Sequence, residues 1–167
     1  LAIQSQRMST LPRSVVIKGT GSYTPETIKT NDDLAEFVDT SEEWIFTRTG
    51  IKERRFATEG ENTSHMGTEA SRRALANAGI KASDVDLVIV ATITPDMPFP
   101  STACLIQTQL GVGNAVCMDI EAACSGFLYI MEVAASLIKT GRYQNALIVG
   151  TEKLSSILDW EDRTTCV

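Results

Sequence analysis

Residues 85–91 read Val-Asp-Leu-Val-Ile-Val-Ala, within the longest apolar run of the chain. A half-exposed strand alternates apolar and polar side chains, whereas a strand covered on both faces is apolar almost throughout. Shorter apolar runs at residues 15–17, 115–120 and 146–149 are separated from it by segments with helical patterns. Strands that alternate with helices predict an α/β domain, with a mostly parallel sheet covered by helices.

Two short helices are predicted from residues at their beginnings. Thr30 and Asp33 have the spacing of a capping box, in which each side chain binds the other residue's backbone amide. Thr40 and Glu43 repeat this spacing before Trp44. The sequence therefore predicts that these two helices begin at Thr30 and Thr40.

Two longer helices and one loop follow from periodicity and composition. Residues 63–78 end at Gly79 and carry alanines at a four-residue spacing, which lets a neighbouring segment approach closely. Residues 125–140 keep a 3.6-residue apolar period and end at Gly141. Residues 94–101 contain three of the five prolines, so they predict an irregular loop.

Composition excludes several classes of function. The chain has 167 residues, of which 43% are hydrophobic, as in one globular domain. Its formal charge is −6, from 15 basic and 21 acidic residues, which argues against nucleic-acid binding. No apolar run approaches the ~20 residues of a membrane span. Four cysteines without a Cys-x-x-Cys pair, and a single histidine, predict reduced thiols, a cytoplasmic location and no metal site.

The two ends of the sequence predict an N-terminal extension and a domain that continues beyond the last residue. Residues 1–7, before Met8, lack the apolar stretch of a secretory signal, so we interpret residues 1–14 as an N-terminal extension or tag remnant. The domain then covers residues 15–167. Its last residues, Thr164 to Val167, include β-branched side chains that predict the beginning of a strand, so we expect the domain to continue beyond this chain.

The segment most informative about chemistry is residues 118–126, Met-Asp-Ile-Glu-Ala-Ala-Cys-Ser-Gly. It leads from a predicted strand into a predicted helix and places Cys124 at the helix N-terminus. There the unpaired amides and the helix dipole favour a thiolate, and the small neighbours would let a substrate carbonyl approach. The alternative is a buried structural cysteine in a tight turn. His65 lies among polar residues and is interpreted as a surface imidazole, so acid–base partners of Cys124 would lie outside this chain.

A basic segment follows Trp44. Residues 48–55 hold four positive side chains, Arg48, Lys52, Arg54 and Arg55, against one negative one. Trp44 and Arg48 are one helical turn apart, so an indole and a guanidinium can share a face that suits a phosphorylated nucleotide. The alternative is a solvated charge run beside a core tryptophan.

Several blocks of this sequence together resemble the β-ketoacyl-acyl-carrier-protein synthase III family. The blocks are residues 19–25 (Gly-Thr-Gly-Ser-Tyr-Thr-Pro), 39–45 (Asp-Thr-Ser-Glu-Glu-Trp-Ile), 48–51 (Arg-Thr-Gly-Ile), 99–101 (Phe-Pro-Ser), 122–127 (Ala-Ala-Cys-Ser-Gly-Phe) and 162–163 (Asp-Arg). Their order and spacing agree with the family from about residue 15 to the last residue. The resemblance implies the first βαβαβ half of a thiolase-like fold.

The resemblance also implies roles for individual residues. Cys124 would be the acylated nucleophile. Trp44 and Arg163 would sandwich the adenine of coenzyme A, Arg48 would hold its phosphates and Thr40 would line the same entrance. Phe99 would reach into the acyl pocket of a second subunit, which implies a homodimer.

By the same resemblance, the activity is the condensation that begins type II fatty-acid synthesis. It would use acyl-coenzyme A, acetyl-coenzyme A by similarity to the family, together with malonyl-acyl carrier protein and no permanently bound cofactor. From charge alone, the basic segment predicts a landing patch for the acidic carrier protein. The family's later histidine and asparagine would lie in a C-terminal half beyond Val167. Two alternatives stay open: a related synthase, such as a secondary-metabolite condensing enzyme or a 3-hydroxy-3-methylglutaryl synthase, and a non-catalytic coenzyme A-binding scaffold.

Overall fold

The computed structural model describes residues 14–166, with Cys166 described through its backbone only. Strands and helices alternate along most of this range. In chain order they are β1 (Thr27–Thr30), α1 (Asn31–Ala35), α2 (Glu42–Thr49), β2 (Glu53–Phe56), α3 (Thr63–Ala78), β3 (Leu87–Ala91), α4 (Thr102–Leu110), β4 (Val116–Ile120), α5 (Gly126–Lys139), β5 (Ala146–Gly150) and α6 (Arg163–Cys166), with 3-10 turns at Ala82–Asp84, Ala123–Ser125 and Leu154–Ser156.

The centre of the fold is a parallel three-stranded sheet in the order β4-β3-β5, with Leu87 opposite Val116 and Ala146. Every residue of β3 is buried. Val88 and Val90 pack in one core with α4 residues, whereas Leu87, Ile89 and Ala91 pack in a second core with α5 residues. The predicted α/β class, with a parallel sheet covered on both faces, is therefore confirmed.

The alanine face of α3 packs against an extended segment near the N-terminus. A Cβ atom on Gly19 would lie 2.5 Å from the amide nitrogen of Ala78, and one on Gly21 would lie 2.3 Å from the carbonyl oxygen of Ala70. Both distances are too short for a side chain, so only glycine fits at these two positions. The predicted close approach to α3 is confirmed.

The helix predictions are confirmed where they depend on periodicity. The third helix covers Thr63–Ala78 as predicted, and α5 covers Gly126–Lys139 after a 3-10 turn. Thr30 and Asp33 form the predicted capping box, although α1 ends already at Ala35. Residues 94–101 are irregular up to the beginning of α4, as predicted.

Three local predictions are wrong. The second capping box does not form, because the extended backbone of Ser41 brings its hydroxyl, not that of Thr40, to the Trp44 amide at 3.1 Å. Residues 15–17 belong to no strand of the described range, and Ile17 is 76% exposed. The chain does not begin a strand at Thr164, because Asp162 accepts a bond from the Thr164 amide at 2.8 Å and α6 begins instead.

Nearly all of the predicted N-terminal extension, residues 1–13, lies outside the described residues. No helix within residues 14–166 has both the length and the apolarity needed to cross a membrane.

Candidate active site

Cys124 lies in the short connection between β4 and α5. It is the middle residue of the 3-10 turn Ala123–Ser125, which is closed by a 3.0 Å hydrogen bond from the Ser125 amide to the Ala122 carbonyl. Ala123 has a φ of 43°, in the left-handed region that non-glycine residues rarely adopt. Such strained turns are concentrated at functional sites. Cys124 forms no disulfide and is exposed in the described chain, so the alternative of a buried structural cysteine does not fit this structure.

The first turn of α5 rests on the carboxyl ends of β3 and β5. A Cβ atom on Gly126 would lie 3.0 Å from the Cβ atom of Ala91, at the end of β3. At the end of β5, a Cβ atom on Gly150 would lie 3.1 Å from the Phe127 ring. These two contacts fix the position of the helix N-terminus, and therefore of Cys124, relative to the sheet.

Trp44, Arg48 and Arg163 come together as one cluster. The Arg48 guanidinium carbon lies 4.3 Å from the centre of the Trp44 ring, and that of Arg163 lies 4.8 Å from it. Both distances are within the range of cation–π attraction. Arg48 and Arg163 also donate hydrogen bonds to the carbonyls of Trp44 and Asp39, at 3.2 and 3.3 Å. The cluster presents an aromatic ring and two guanidinium groups, which suits a planar ligand that carries phosphates.

Thr40 lies next to this cluster, beside the Asp39 carbonyl that Arg163 binds. Its hydroxyl oxygen is buried and has no hydrogen-bond partner within the described residues. A buried hydroxyl without a partner costs about 1–3 kcal/mol.

Phe99 projects from the loop between β3 and α4 and is 86% exposed. The ends of this loop are fixed by two carboxylates. Asp96 accepts a bond from the Ser64 amide at 2.9 Å, and Asp119 accepts bonds from the Thr102 and Ala103 amides at 2.6 and 2.8 Å. An exposed aromatic side chain on a fixed loop is typical of a contact surface.

Two of the four residues of the basic segment make hydrogen bonds across the β1–β2 pair. Arg54 and Arg55 donate to carbonyl groups of the β1 region, Arg54 to Lys29 at 3.4 Å and Arg55 to Glu26 at 3.1 Å. Burial lowers the pKa of Arg54, against the opposing effect of Glu42. Arg48, Lys52 and Arg55 are exposed, and only Arg54 is partly buried.

His65 packs on Tyr23, with the two ring centres 5.9 Å apart. Tyr23 in turn donates its hydroxyl proton to Glu61. This contact places His65 in a network with Tyr23 rather than alone in solvent. In residues 14–166, no three His, Cys, Asp or Glu side chains are grouped as ligands of a metal ion.

One network at the site was not found by sequence reasoning. Glu152, two residues after β5, accepts hydrogen bonds from residues that follow β3. The signal in the sequence is polar side chains immediately after buried strands, as in Thr92 and Glu152, because the carboxyl ends of parallel strands meet at one edge of a sheet.

Comparison with known proteins relates about nine-tenths of the chain to one family. Residues 118–167 match the family described as 3-oxoacyl-[acyl-carrier-protein (ACP)] synthase III. The chain is 57% identical over 151 residues to a β-ketoacyl-[acyl-carrier-protein] synthase III of Caldanaerobacter subterraneus, covering 90% of this chain and 46% of that protein. The corresponding protein of Clostridium botulinum is 56% identical over 154 residues, covering 92% of this chain and 47% of the relative. The chain thus spans about half the length of the curated relatives it matches.

Solved structures show the same relationship. The 3-oxoacyl-[acyl-carrier-protein] synthase III of Aquifex aeolicus matches with a TM-score of 0.86 and 53% identity, over 90% of this chain and 48% of that one. The priming β-ketosynthase of the R1128 polyketide pathway matches with a TM-score of 0.84 and 39% identity, over 88% and 44%. The predicted thiolase-like α/β fold is confirmed. The chain therefore belongs to the 3-oxoacyl-[acyl-carrier-protein] synthase III family.

Proposed function

We propose that this chain is the N-terminal half of a condensing enzyme that joins an acyl group from acyl-coenzyme A to malonyl-acyl carrier protein. The observation that carries the proposal is the exposed residue Cys124, with a free thiol, on a strained turn at the beginning of α5. Names of the relatives support the same reaction, since they are β-ketoacyl-[acyl-carrier-protein] synthases III.

In the first half-reaction, the Cys124 thiolate attacks the thioester carbonyl of acyl-coenzyme A, with acetyl-coenzyme A as the proposed donor. The oxyanion that forms would be held by backbone amides, including that of Cys124. The bond from the carbonyl carbon to the coenzyme A sulfur then breaks, and coenzyme A leaves with a proton. The acyl group stays on Cys124 as a thioester.

In the second half-reaction, malonyl-acyl carrier protein loses carbon dioxide and its methylene carbon becomes a carbanion. This carbon attacks the acyl-cysteine carbonyl, the carbon–sulfur bond breaks, and 3-ketoacyl-acyl carrier protein leaves with Cys124 as a thiolate. In the proposed enzyme, a histidine and an asparagine of the C-terminal half stabilise the enolate. No permanently bound cofactor takes part in this scheme.

We assign the coenzyme A entrance to the cluster around Trp44. Trp44 and Arg163 would stack on the adenine, Arg48 would bind phosphate and Thr40 would line the same entrance. Exposed Arg48 and Lys52 would attract the acidic carrier protein. Phe99, which projects from its own subunit, would complete the acyl pocket of a second copy, so the proposed assembly is a homodimer.

The proposed location is the cytoplasm. Cys104, Cys117 and Cys124 are all free thiols, as expected in a reducing compartment. Relatives of about twice this length support a C-terminal half as the partner of this chain.

The assignment of the coenzyme A entrance is tested with Trp44→Ala in the protein that includes the C-terminal half. Loss of the stacking surface should raise the KM for acetyl-coenzyme A much more than the KM for malonyl-acyl carrier protein. The matched control is Phe46→Ala, because Phe46 is a second aromatic residue of α2 but lies outside the cluster. Equal effects of Trp44→Ala on both KM values would argue against adenine stacking.

A second candidate is a synthase with the same nucleophile but another acyl donor. The match to the priming ketosynthase of a polyketide pathway favours it. Comparing kcat/KM for acetyl-coenzyme A and longer acyl-coenzyme A donors separates the two functions. Binding of coenzyme A without any acyl transfer would instead support a scaffold.

A further inference from the structure

We propose that Glu152 is a positioning residue of the condensation reaction. It fixes the strand ends that support Cys124 relative to the beginning of the loop that carries Phe99. The inference rests on the proposed function, because it concerns the geometry of that reaction. Glu152 does not touch the reacting atoms in this proposal. It acts through the carboxyl ends of β3 and β5.

The Glu152 carboxylate joins the segments that follow these two strands. It accepts a 3.1 Å bond from the Thr92 hydroxyl, a 3.0 Å bond from the Ile93 amide, and a bond from the Thr94 hydroxyl. Thr92 and Thr94 are both buried. Three donors from the segment after β3 therefore converge on one side chain from the segment after β5.

The network requires a group that only accepts hydrogen bonds. The Thr92 hydroxyl already accepts a bond from the Thr94 amide at 3.1 Å, and the Thr94 hydroxyl accepts one from the Lys153 amide at 2.8 Å. Each hydroxyl proton is then free to point at Glu152. An ionised carboxylate satisfies all three donors, whereas a glutamine would turn an NH₂ group toward one or two of them.

This network lies directly beside the contacts that position Cys124. Ala91, which precedes Thr92, is the residue against which Gly126 packs. Gly150, two residues before Glu152, contacts Phe127. The Thr151 amide also donates to the Ala91 carbonyl at 3.2 Å, so the two strand ends are tied together at this level. A shift of either strand end would move the first turn of α5, and Cys124 with it.

The same network fixes the beginning of the Phe99 loop. The carbonyl of Thr94 accepts a 2.6 Å bond from the buried Thr63 hydroxyl, and the Thr151 hydroxyl donates to the Thr63 carbonyl at 3.0 Å. The loop that carries Phe99 begins from this fixed point. In the proposed dimer, Glu152 thus fixes the position of Cys124 in its own subunit. It also fixes the loop whose Phe99 side chain enters the acyl pocket of the partner subunit.

The test compares Glu152→Gln with a control variant at Asp86, whose carboxylate connects the same two strands at their opposite ends. Asp86 precedes β3 and accepts bonds from the Gln144 and Asn145 amides, just before β5, at 2.7 and 3.1 Å. Asp86→Asn therefore loosens β3 and β5 far from Cys124. A second pair of variants changes Thr94, whose hydroxyl bridges Lys153 and Glu152. Thr94→Val removes this hydroxyl, and Thr94→Ser keeps it.

All variants are made in the protein that includes the C-terminal half, and kcat, the KM for acetyl-coenzyme A and Tm are measured. We expect Glu152→Gln and Thr94→Val to lower kcat by about tenfold or more with little change in KM, because small misplacements of reacting groups are costly. Thr94→Ser should restore kcat, and Asp86→Asn should keep it despite a comparable loss of Tm.

The inference is overturned if Asp86→Asn and Glu152→Gln lower kcat equally for an equal loss of Tm, or if Glu152→Gln keeps the wild-type kcat. Should Glu152→Gln not fold, the Thr94 pair decides, and equal kcat values for valine and serine would contradict the proposal. Absence of an acyl group on Cys124 in the wild-type protein would instead contradict the proposed function, so the two failures are distinguishable.

Discussion

The Arg163 guanidinium carbon lies 4.8 Å from the centre of the Trp44 ring. α6 and α2 therefore meet at this tryptophan, although the two helices are distant in the sequence. At this separation the arginine attracts the ring face directly, which leaves no space for a second planar group between them.

Binding of coenzyme A should separate Arg163 from Trp44. An adenine stacked between them requires two layers of about 3.5 Å each, so the distance should increase to about 7 Å. The measurement is a crystal structure of the protein that includes the C-terminal half, with coenzyme A bound. A distance that stays near its present value, with the adenine elsewhere, would contradict the sandwich.

Mixing two inactive variants should restore activity if Phe99 serves the partner subunit. Cys124→Ala lacks the nucleophile, and Phe99→Asp should disturb the partner's acyl pocket. In a mixed dimer, the intact cysteine of one subunit receives the intact Phe99 of the other. We expect about a quarter of wild-type activity, because half of randomly assorted dimers are mixed and each has one complete site. No recovery after confirmed subunit exchange would argue that Phe99 acts within its own subunit.

Glu61 should contribute to stability above pH 4.5 and lose this contribution in acid. Hydrogen bonds from the Thr58 hydroxyl, from Tyr23 and from the Thr58 amide lower the pKa of Glu61 from 4.5 to about 2. A carboxyl with a lowered pKa in the folded state stabilises it above the unfolded pKa and ceases to do so as pH falls through the folded one.

Glu61→Gln should therefore unfold at lower denaturant concentration than the wild type at pH 7, and this difference should shrink between pH 4.5 and 2. Glu59→Gln is the control, because Glu59 is exposed and close in the sequence. A difference between wild type and Glu61→Gln that is the same at pH 7 and pH 2 would contradict this assignment.

Cys117 should react much more slowly with iodoacetamide than Cys124. Burial, with a smaller effect from Cys104, raises the pKa of Cys117 to about 11. At pH 8 only about one part in a thousand of such a thiol is ionised. Peptide mass spectrometry after brief labelling at pH 8 measures the two rates, and equal labelling of both cysteines would contradict the prediction.

The parts of the fold that the sequence predicts well are those with local signals. β3 is recognised by its continuous apolar side chains, and α3 and α5 by their period and terminal glycines. The β1–β2 ladder was not predicted, because its strands contain mainly polar residues and are paired over a long stretch of chain. Ser41 and Thr40 are both hydroxyl residues, so only the backbone conformation decides which one caps α2.

In the candidate site, too, local features are predicted from the sequence and contacts between distant residues are not. The pair Trp44 and Arg48 is visible in the sequence, because the two residues are one turn apart on a single helix. Arg163 was assigned to the same site only by the family resemblance, because its contact with Trp44 depends on the fold of the intervening chain. The bonds of Glu152 connect residues 58 to 60 positions apart, so neither spacing nor composition reveals them.

The central claim is that the Cys124 sulfur accepts the acyl group. The protein that includes the C-terminal half is incubated with radiolabelled acetyl-coenzyme A, without malonyl-acyl carrier protein, and the labelled peptide is identified by mass spectrometry. We predict label on the peptide that contains Cys124 and its complete loss in Cys124→Ala and Cys124→Ser, both correctly folded. Label that persists in these variants, or that resides on another residue of the wild type, would contradict the proposed mechanism.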